Sequence, residues 1–419
     1  MMATQIDALE PLPLPEGPPE RRLPPRQWVR ENLFGSVLDS VLTVLFGLFL
    51  AWAAYRLGKF VFVDADWEIV ERNITTLMVG SFPRDQLWRL WAALFVLAAS
   101  LGFGAGAIGA QRRREVAEGR AQPAPKGVAA RRLAPIVLLV GVLLWFSGSL
   151  RNLLIVLAVA AVGAVFNLVG RRTPRRLERS VPLLVLAGVL LAFLIVVAFG
   201  GVKWSDWGGF LLTIFLAVGG ILMSFPVGVL LALGRRSSLR AVRIVCTGYI
   251  EFIRGVPLVA LIFMGVFMIG FFLPQGIERP DNIVRVLIAF VMFTSAYVAE
   301  IVRGGLQSVP AGQVEAAHAL GLSPYRTTRQ IVLPQALRSV IPALVGQFIS
   351  LYKDTSLVFV VGLAELLTIA ENVTKQPDFL GQGLIVETLV FASFVYWTGS
   401  YWMSRESQRL EQRLGLGER

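Results

Sequence analysis

The chain has 419 residues, of which 55% are hydrophobic and 16% charged, where an ordinary soluble domain carries about a quarter charged residues. That balance excludes a soluble globular protein, and a single cysteine, Cys246, excludes an intramolecular disulfide framework. A formal net charge of +12 fits a nucleic-acid binder in a soluble chain, but in so apolar a chain it marks the loops on the inner side of a membrane.

Residues 1–35 contain prolines at 11, 13, 15, 18, 19, 24 and 25 and lack the short apolar core of a signal peptide. They predict a disordered tail. Ten apolar segments follow, near 36–57, 88–110, 134–149, 151–170, 181–200, 208–233, 252–273, 283–302, 338–366 and 384–403. Most approach or exceed the roughly 20 residues that cross a bilayer. The stretch 134–170 is too long for one span, and SGSLRN at 147–152 reads as a tight reversal between two short helices. Trp52, Trp67, Trp88 and Trp91 read as an aromatic belt, and the acidic stretch 58–87, with Asp64, Asp66, Glu68 and Glu71, as a solvated outside loop. The expected fold is an all-α multi-span membrane protein.

Loop charge sets the orientation. With the N-terminus inside and each segment crossing once, the inner pieces carry 28 Lys and Arg and the outer pieces 7. This four-to-one bias places both termini in the cytoplasm. The chain divides near residue 200: an extension of about five helices over 36–200, then a core over 201–405 that holds nearly all the unusual residues, then a short inner tail at 406–419.

Within the core, residues 309–336 read VPAGQVEAAHALGLSPYRTTRQIVLPQA. Pro310 suits a first helical position, Gly321 supplies a left-handed C-terminal residue, and Ser323-Pro324 reads as the N-cap and first position of another helix. A short cytoplasmic helix with small side chains and one charge, Glu315, is therefore expected, followed by a sharp break.

Glu315-Ala316-Ala317, Gly321 after three more residues, and Ile331-Val332-Leu333-Pro334 after nine more resemble the EAA loop of ABC importer membrane subunits. EFIRGVPL (251–258), AYVAEIVRGGLQSVP (296–310) and KDTSLVFVVGLAELL (353–367) resemble the polar amino acid permeases of the histidine/glutamine type. A long extension ahead of that core is most like the larger membrane subunit of general L-amino acid importers. The resemblance implies a type I ABC importer permease core of five helices in a bacterial inner membrane. It implies a coupling helix that docks on a separate ATPase through Glu315, Ala316, Ala317, Gly321, Leu333 and Pro334. Its implied partners are two ATP-binding subunits, a second and different permease chain, a periplasmic or extracellular amino acid-binding protein, an amino acid substrate and membrane lipid, but no nucleic acid.

None of the five lysines, at 59, 126, 203, 353 and 375, completes a phosphate-binding G-x-x-x-x-G-K-[ST] loop, so ATP with its Mg²⁺ is expected on the partner ATPase and no cofactor on this chain. One histidine and one cysteine leave no metal cluster, and no nucleophile constellation is present, so the chain is not expected to be an enzyme. His318 reads as a surface residue of the coupling helix.

Ionisable groups at membrane depth are functional candidates. Asp354 is positioned to meet the cationic amino group of a zwitterionic substrate, with Thr355 and Ser356 adding hydrogen bonds and Tyr297 offering its ring; a structural pairing of Lys353 with Asp354 at a helix break stands beside that reading. Glu300 and Arg303 read as an i, i+3 ion pair, Glu251-to-Pro257 as a bent helix entrance, and Pro226 as a kink. Two competing functions remain at this level: an ion-coupled secondary transporter, which leaves the EAA spacing unexplained, and an ABC permease for opines or other amino acid derivatives.

Overall fold

The computed structural model describes residues 24–119, 128–197, 202–272, 274 and 278–414, and every regular element among them is helical. The first unit ends at Ala65. The expected disordered tail falls largely on residues 1–23, outside the described residues, but its last part is helix α1 (Pro25–Leu33). Pro25 sits at the first helical position, where a missing N–H costs nothing, so the proline that argued for disorder starts a helix instead. The Thr43 hydroxyl donates to the Leu33 carbonyl (2.7 Å) and ties α1 to α2 (Val37–Lys59). Ser36 caps α2 by accepting from the Asp39 N–H (3.0 Å). No residue of α2 is buried, and its surface is apolar on nearly every side, as a lipid-facing span requires.

The second unit runs from Asp66 onward. It opens with α3 (Glu68–Val79), where a solvated loop was expected. Ile69, Val70, Asn73, Ile74 and Leu77 share one buried face, while Glu68 and Glu71 stay exposed. Helical spacing hides this face from any span-length hydropathy window. Trp67 packs on Phe146 with ring centroids 5.7 Å apart.

Next come α4 (Leu87–Ala117), α5 (Val128–Ser147), α6 (Leu150–Gly170) and α7 (Val181–Val197). The 134–170 stretch breaks at Gly148, and Ser149 caps α6. The two halves do not pack as a hairpin. α5 lies against α3 and the last helix, α17 (Ile385–Leu414), whereas α6 lies along α4. The α4–α6 seam has almost no side chains in it: a Cβ on Gly102 would overlap the Gly163 carbonyl, one on Gly106 the Asn167 carbonyl, and one on Gly170 the Phe103 carbonyl. Such close backbone approach is how helices associate where lipid removes the hydrophobic drive between them. Gly104 and Ser100, on another side of α4, meet Val185 and Gly188 of α7.

The core comprises α8 (Gly209–Arg235), α9 (Arg240–Gly255) with α10 (Leu258–Phe263) and α11 (Ile269–Phe272), α12 (Asn282–Ser308), α15 (Leu333–Asp354) and α17 (Ile385–Leu414). Between α12 and α15 stand α13 (Ala311–Ala319) and α14 (Pro324–Thr327); α16 (Leu366–Asn372) follows α15. Six helices among the described residues are long and apolar enough to cross a bilayer, and a seventh span results if the bent α9–α10 pair counts as one. That pair turns through 107° at Val256-Pro257, so Glu251–Gly255 belong to the amphipathic α9 and not to the span expected at 252–273. α8 runs continuously through Pro226. α17 extends to Leu414, so most of the expected C-terminal tail is helix; Glu411 accepts from the Ser407 hydroxyl (2.9 Å) along it.

α8, α12 and α15 interlock through Gly228 against Val298, Gly220 against Leu351 and Gly305 against the Ala336 carbonyl. The C-terminal ends of α8 and α12 and the start of α15 gather at one end of the core, beside α13. The start of α8, the end of α15, α16 and α3 gather at the opposite end, where Gly209 N–H donates to Ala364 O (2.8 Å) and Gln376 Nε2 donates to Asn73 Oδ1 (2.9 Å).

Candidate functional site

The EAA stretch folds as its chemistry requires. Pro310 is the N-cap of α13, one position earlier than expected, and Ala311 begins the helix. Gly321 has φ +78°, which an L side chain adopts only with strain. It completes a Schellman turn: Gly321 N–H donates to His318 O (2.9 Å) and Leu322 N–H to Ala317 O (3.1 Å). Ser323 then caps α14 by accepting from Arg326 N–H (3.5 Å). A π-helical turn at Thr328–Val332 leads into α15, where Pro334 cannot donate to the ladder.

Ala317 is buried and Val314 half-buried against a cluster containing Leu306, Val332 and Ala336. α13 packs chiefly on α14 and on the turn at Thr328–Val332 that leads into α15. Glu315, Ala316, His318 and Ala319 face outward, Pro334 is exposed, and Leu333 is half-buried. Two large side chains beside them are bare: Leu320 is 82% exposed and Tyr325 69%. Neither residue stands out in the sequence, where Leu320 reads as the end of the short helix and Tyr325 as an early position of the helix that Pro324 begins.

At the same end of the core, three helices are pinned by charge. Glu300 on α12 accepts from Arg303 Nε (3.0 Å) and from Arg235 of α8 (3.2 Å), and forms an ion pair with Arg254 of α9 (3.7 Å). Arg235 also pairs with Glu251 of α9 (2.9 Å). The expected i, i+3 pair is therefore one arm of a larger cluster. Arg254 and Glu251 do not pair with each other but bridge to neighbouring helices. Three guanidinium groups converge on one carboxylate, so Glu300 is the member whose loss leaves most charge uncompensated. Glu300→Gln is expected to destabilise the folded chain by about 2 kcal/mol, and Arg303→Gln by less, because Arg235 and Arg254 still hold the carboxylate. Heat-induced loss of monodispersity in detergent measures both; equal losses would deny Glu300 the central place.

The polar residues at the other end of α15 divide into two groups. Asp354 is the last residue of α15, before a 3₁₀ turn at Thr355–Val361. It is half-buried, Lys353 is exposed, and no ion pair joins them among the described residues. Pairing of Lys353 with Asp354 is thus not what holds the break.

Thr355 departs from the expected substrate group. It is fully buried; its hydroxyl donates to Tyr352 O (2.7 Å) and lies 3.3 Å from the Tyr396 hydroxyl. Tyr396 in turn donates to Glu365 Oε2 (2.8 Å), whose carboxylate also accepts from Thr213 (3.4 Å) and from Thr368 N–H (2.9 Å). This chain of partners joins α8, the α15 turn, α16 and α17, and satisfies a carboxylate with 0% exposure. Glu365 was invisible as a site residue because its partners come from four separate segments. Ser356 donates to Lys353 O (2.8 Å), so its hydroxyl also serves the local turn.

Tyr297 is half-buried on α12, its ring 4.8 Å from Phe293 and covered by the Arg254 guanidinium at 5.7 Å. Gly305 meets Ala336 where α12 and α15 cross. From that level, helical rise carries Tyr297 up by about 12 Å and Asp354 by about 27 Å. The two expected substrate residues are thus about 15 Å apart in depth and form no common constellation. A shallow cleft between α5 and α6, lined by Gly141, Leu144, Trp145, Leu150 and Leu153, offers no ionisable group.

Comparison with known proteins fits this architecture. The family described as binding-protein-dependent transport system inner membrane component matches residues 224–414, which include α13, the Glu300 cluster and the α15 turn. The inner membrane amino-acid ABC transporter permease protein YhdY of Escherichia coli is 34% identical over 405 residues, 93% of each chain. The chain belongs to this family of transport-system membrane components. BztC of Rhodobacter capsulatus, a glutamate/glutamine/aspartate/asparagine transport system permease protein, is 33% identical over 93% of each chain. A probable glutamine ABC transporter permease of Bacillus subtilis, GlnP, is 35% identical over 49% of this chain and 92% of its own. A crystal structure of an amino acid ABC transporter with histidines covers 48% of this chain at 29% identity, with a TM-score of 0.43. These relatives come in two lengths, and this chain has the longer, about half of which the shorter relative does not cover. It is a multi-pass inner membrane protein and the permease component of an ABC importer.

Proposed function

We propose that this chain is the long permease subunit of an ATP-driven importer of amino acids. The observation that carries the reading is the 34% identity to a permease of that kind over 93% of both chains. The exposed EAA helix supports the rest. α13 projects Glu315, Ala316, Leu320 and Tyr325 from the end of the core where α12 and α15 meet. A separate ATPase docks there, ATP binding closes two such ATPases, and the displacement of α13 turns α12 and α15 together. Alternating access follows, because ATP binds the closed ATPase pair more tightly and so favours one permease state. One chain supplies one coupling helix for two ATPases, so a second permease completes the pair, and a binding protein delivers substrate to the end carrying α3 and α16. Both termini lie in the cytoplasm, in keeping with the charge bias of the loops.

Uptake of a labelled amino acid panel by proteoliposomes holding the full complex tests the reading. ATP-dependent uptake is expected for several amino acids. Uptake that ignores ATP and follows an imposed ion gradient would instead make the chain a secondary transporter, and uptake restricted to amino acid derivatives would move the substrate class.

In this reading Asp354 faces the substrate amino group. A charge-assisted hydrogen bond of that kind is worth about 1.5–3 kcal/mol. Asp354→Asn is therefore expected to raise the half-saturating substrate concentration roughly tenfold or more, with basal ATP hydrolysis unchanged. Unaltered uptake kinetics would remove Asp354 from the substrate path. Tyr297, 15 Å away in depth by the rise estimate, is expected to act at a different stage of passage from Asp354.

A further inference from the structure

The inner end of the α4–α6–α7 bundle carries a charge imbalance that the transport reading does not use. The loop between α6 and α7 is clamped onto the end of α4. Arg114 Nη2 donates to the Thr173 carbonyl (2.5 Å) and Arg114 pairs with Glu178, while Arg175 pairs with Glu118. Residues 112–118 and 171–179 hold eight arginines and three glutamates. The clamp consumes two of those glutamates, and the third, Glu115, accepts from Gln111 Nε2 (3.0 Å). Arg113, Arg172 and Arg176 are exposed and have no carboxylate within ion-pair distance among the described residues. Arg171 is exposed too, and its Nε donates to the neutral Asn167 Oδ1 (2.9 Å).

A bare apolar wall begins within one helical turn of these arginines. On α6, Val165, Leu168 and Val169 are 55%, 57% and 51% exposed; on α7, Leu183 is 68% exposed. A soluble anion has no use for such a wall, whereas a phospholipid has two acyl chains to lay along it and a phosphate to place at its polar edge. Guanidinium groups suit that phosphate, since they present forked donors to its oxygens.

We propose that this end of the bundle is a binding site for an anionic phospholipid of the surrounding membrane, its headgroup phosphate held by Arg113, Arg172 and Arg176 and its acyl chains lying on Val165, Leu168, Val169 and Leu183. The clamp through Arg114 and Arg175 is what holds the α6–α7 loop in place for this contact. The site gives the longer permease a lipid-dependent anchor.

The test uses the assembled transporter in a neutral detergent, with phosphatidylglycerol, phosphatidylcholine, glycerol phosphate or inorganic phosphate added. Phosphatidylglycerol is expected to be retained in native mass spectra and to raise the thermal midpoint, with the other three doing neither. Each arginine near an anionic lipid contributes about fivefold, so Arg113→Gln, Arg172→Gln and Arg176→Gln together should weaken retention about 100-fold. The control, Arg240→Gln with Arg243→Gln at the start of α9, removes two arginines elsewhere and should retain the lipid. Equal retention by the triple variant, equal loss in the control, or an equal midpoint rise with inorganic phosphate would each overturn the proposal. If the triple variant does not assemble, competition between phosphatidylglycerol and phosphatidylcholine on the unaltered protein decides: no preference overturns it.

Discussion

Replacing Glu315 with lysine is expected to cut ATP-driven uptake by roughly tenfold or more while the assembled complex stays in the membrane and goes on hydrolysing ATP. Glu315 is exposed on α13 and makes no contact that holds the helix; that task falls to Ala317 and Val314. The substitution therefore leaves the fold of the permease intact and changes only the face offered to a partner. Reversing a charge in a formed interface costs several kcal/mol, more than enough to detach a coupling helix from its groove during the cycle. Gly321→Asp should act with it by another route. No heavy atom lies within 4 Å of a Cβ at Gly321, so the cost is backbone strain at φ +78°, which loosens the turn that aims α13. Uptake, ATP hydrolysis and subunit content measured on the same proteoliposomes separate uncoupling from lost assembly. Normal uptake in both variants would mean that this helix does not transmit the ATPase motion.

Gly106→Ala is expected to destabilise the protein by about 3 kcal/mol, although the substitution adds one methyl group to a helix. That methyl would overlap the Asn167 carbonyl of α6 and meet Arg171 N at 3.0 Å, both of them backbone atoms that cannot rotate away. The two helices must separate along the Gly102–Gly106 seam, and lipid gives them little reason to reassociate. Gly109 on the same helix has nothing within 4 Å of a Cβ, so Gly109→Ala should be neutral or slightly stabilising. Thermal midpoints of the two purified variants make the comparison; similar shifts would show that the seam does not depend on bare backbone contact.

The parts of this fold legible in sequence are those with a fixed spacing or a full span of apolar residues. The E-A-A to L-P spacing located α13, its Schellman turn and α14 to within a residue, since Pro310, Gly321 and Ser323 each have a local conformational reason for their place. The break at Gly148 was legible because 134–170 exceeds one bilayer crossing. What remained hidden depends on partners distant in sequence. α3 has an apolar face of only five buried positions within a charged stretch, so composition averages it away. Thr355 looked available until the turn after α15 directed its hydroxyl inward to Tyr396. The wider ring of arginines around Glu300 was hidden for the same reason: only one arm of it, Arg303, lies on the same helix.

The hydrogen bond from Gln376 to Asn73 joins residues 303 positions apart. A ribosome adding about 5–20 residues per second leaves the buried face of α3 without the last of its partners for roughly 15 to 60 seconds after it is made. Through the last part of that interval Ile69, Val70 and Leu77 have α5 and α8 beside them but neither α16 nor α17 to cover them. The end of the core opposite α13 is therefore among the last parts to close during biogenesis. A nascent chain halted before residue 366 carries an uncovered apolar strip there for quality-control proteases to find.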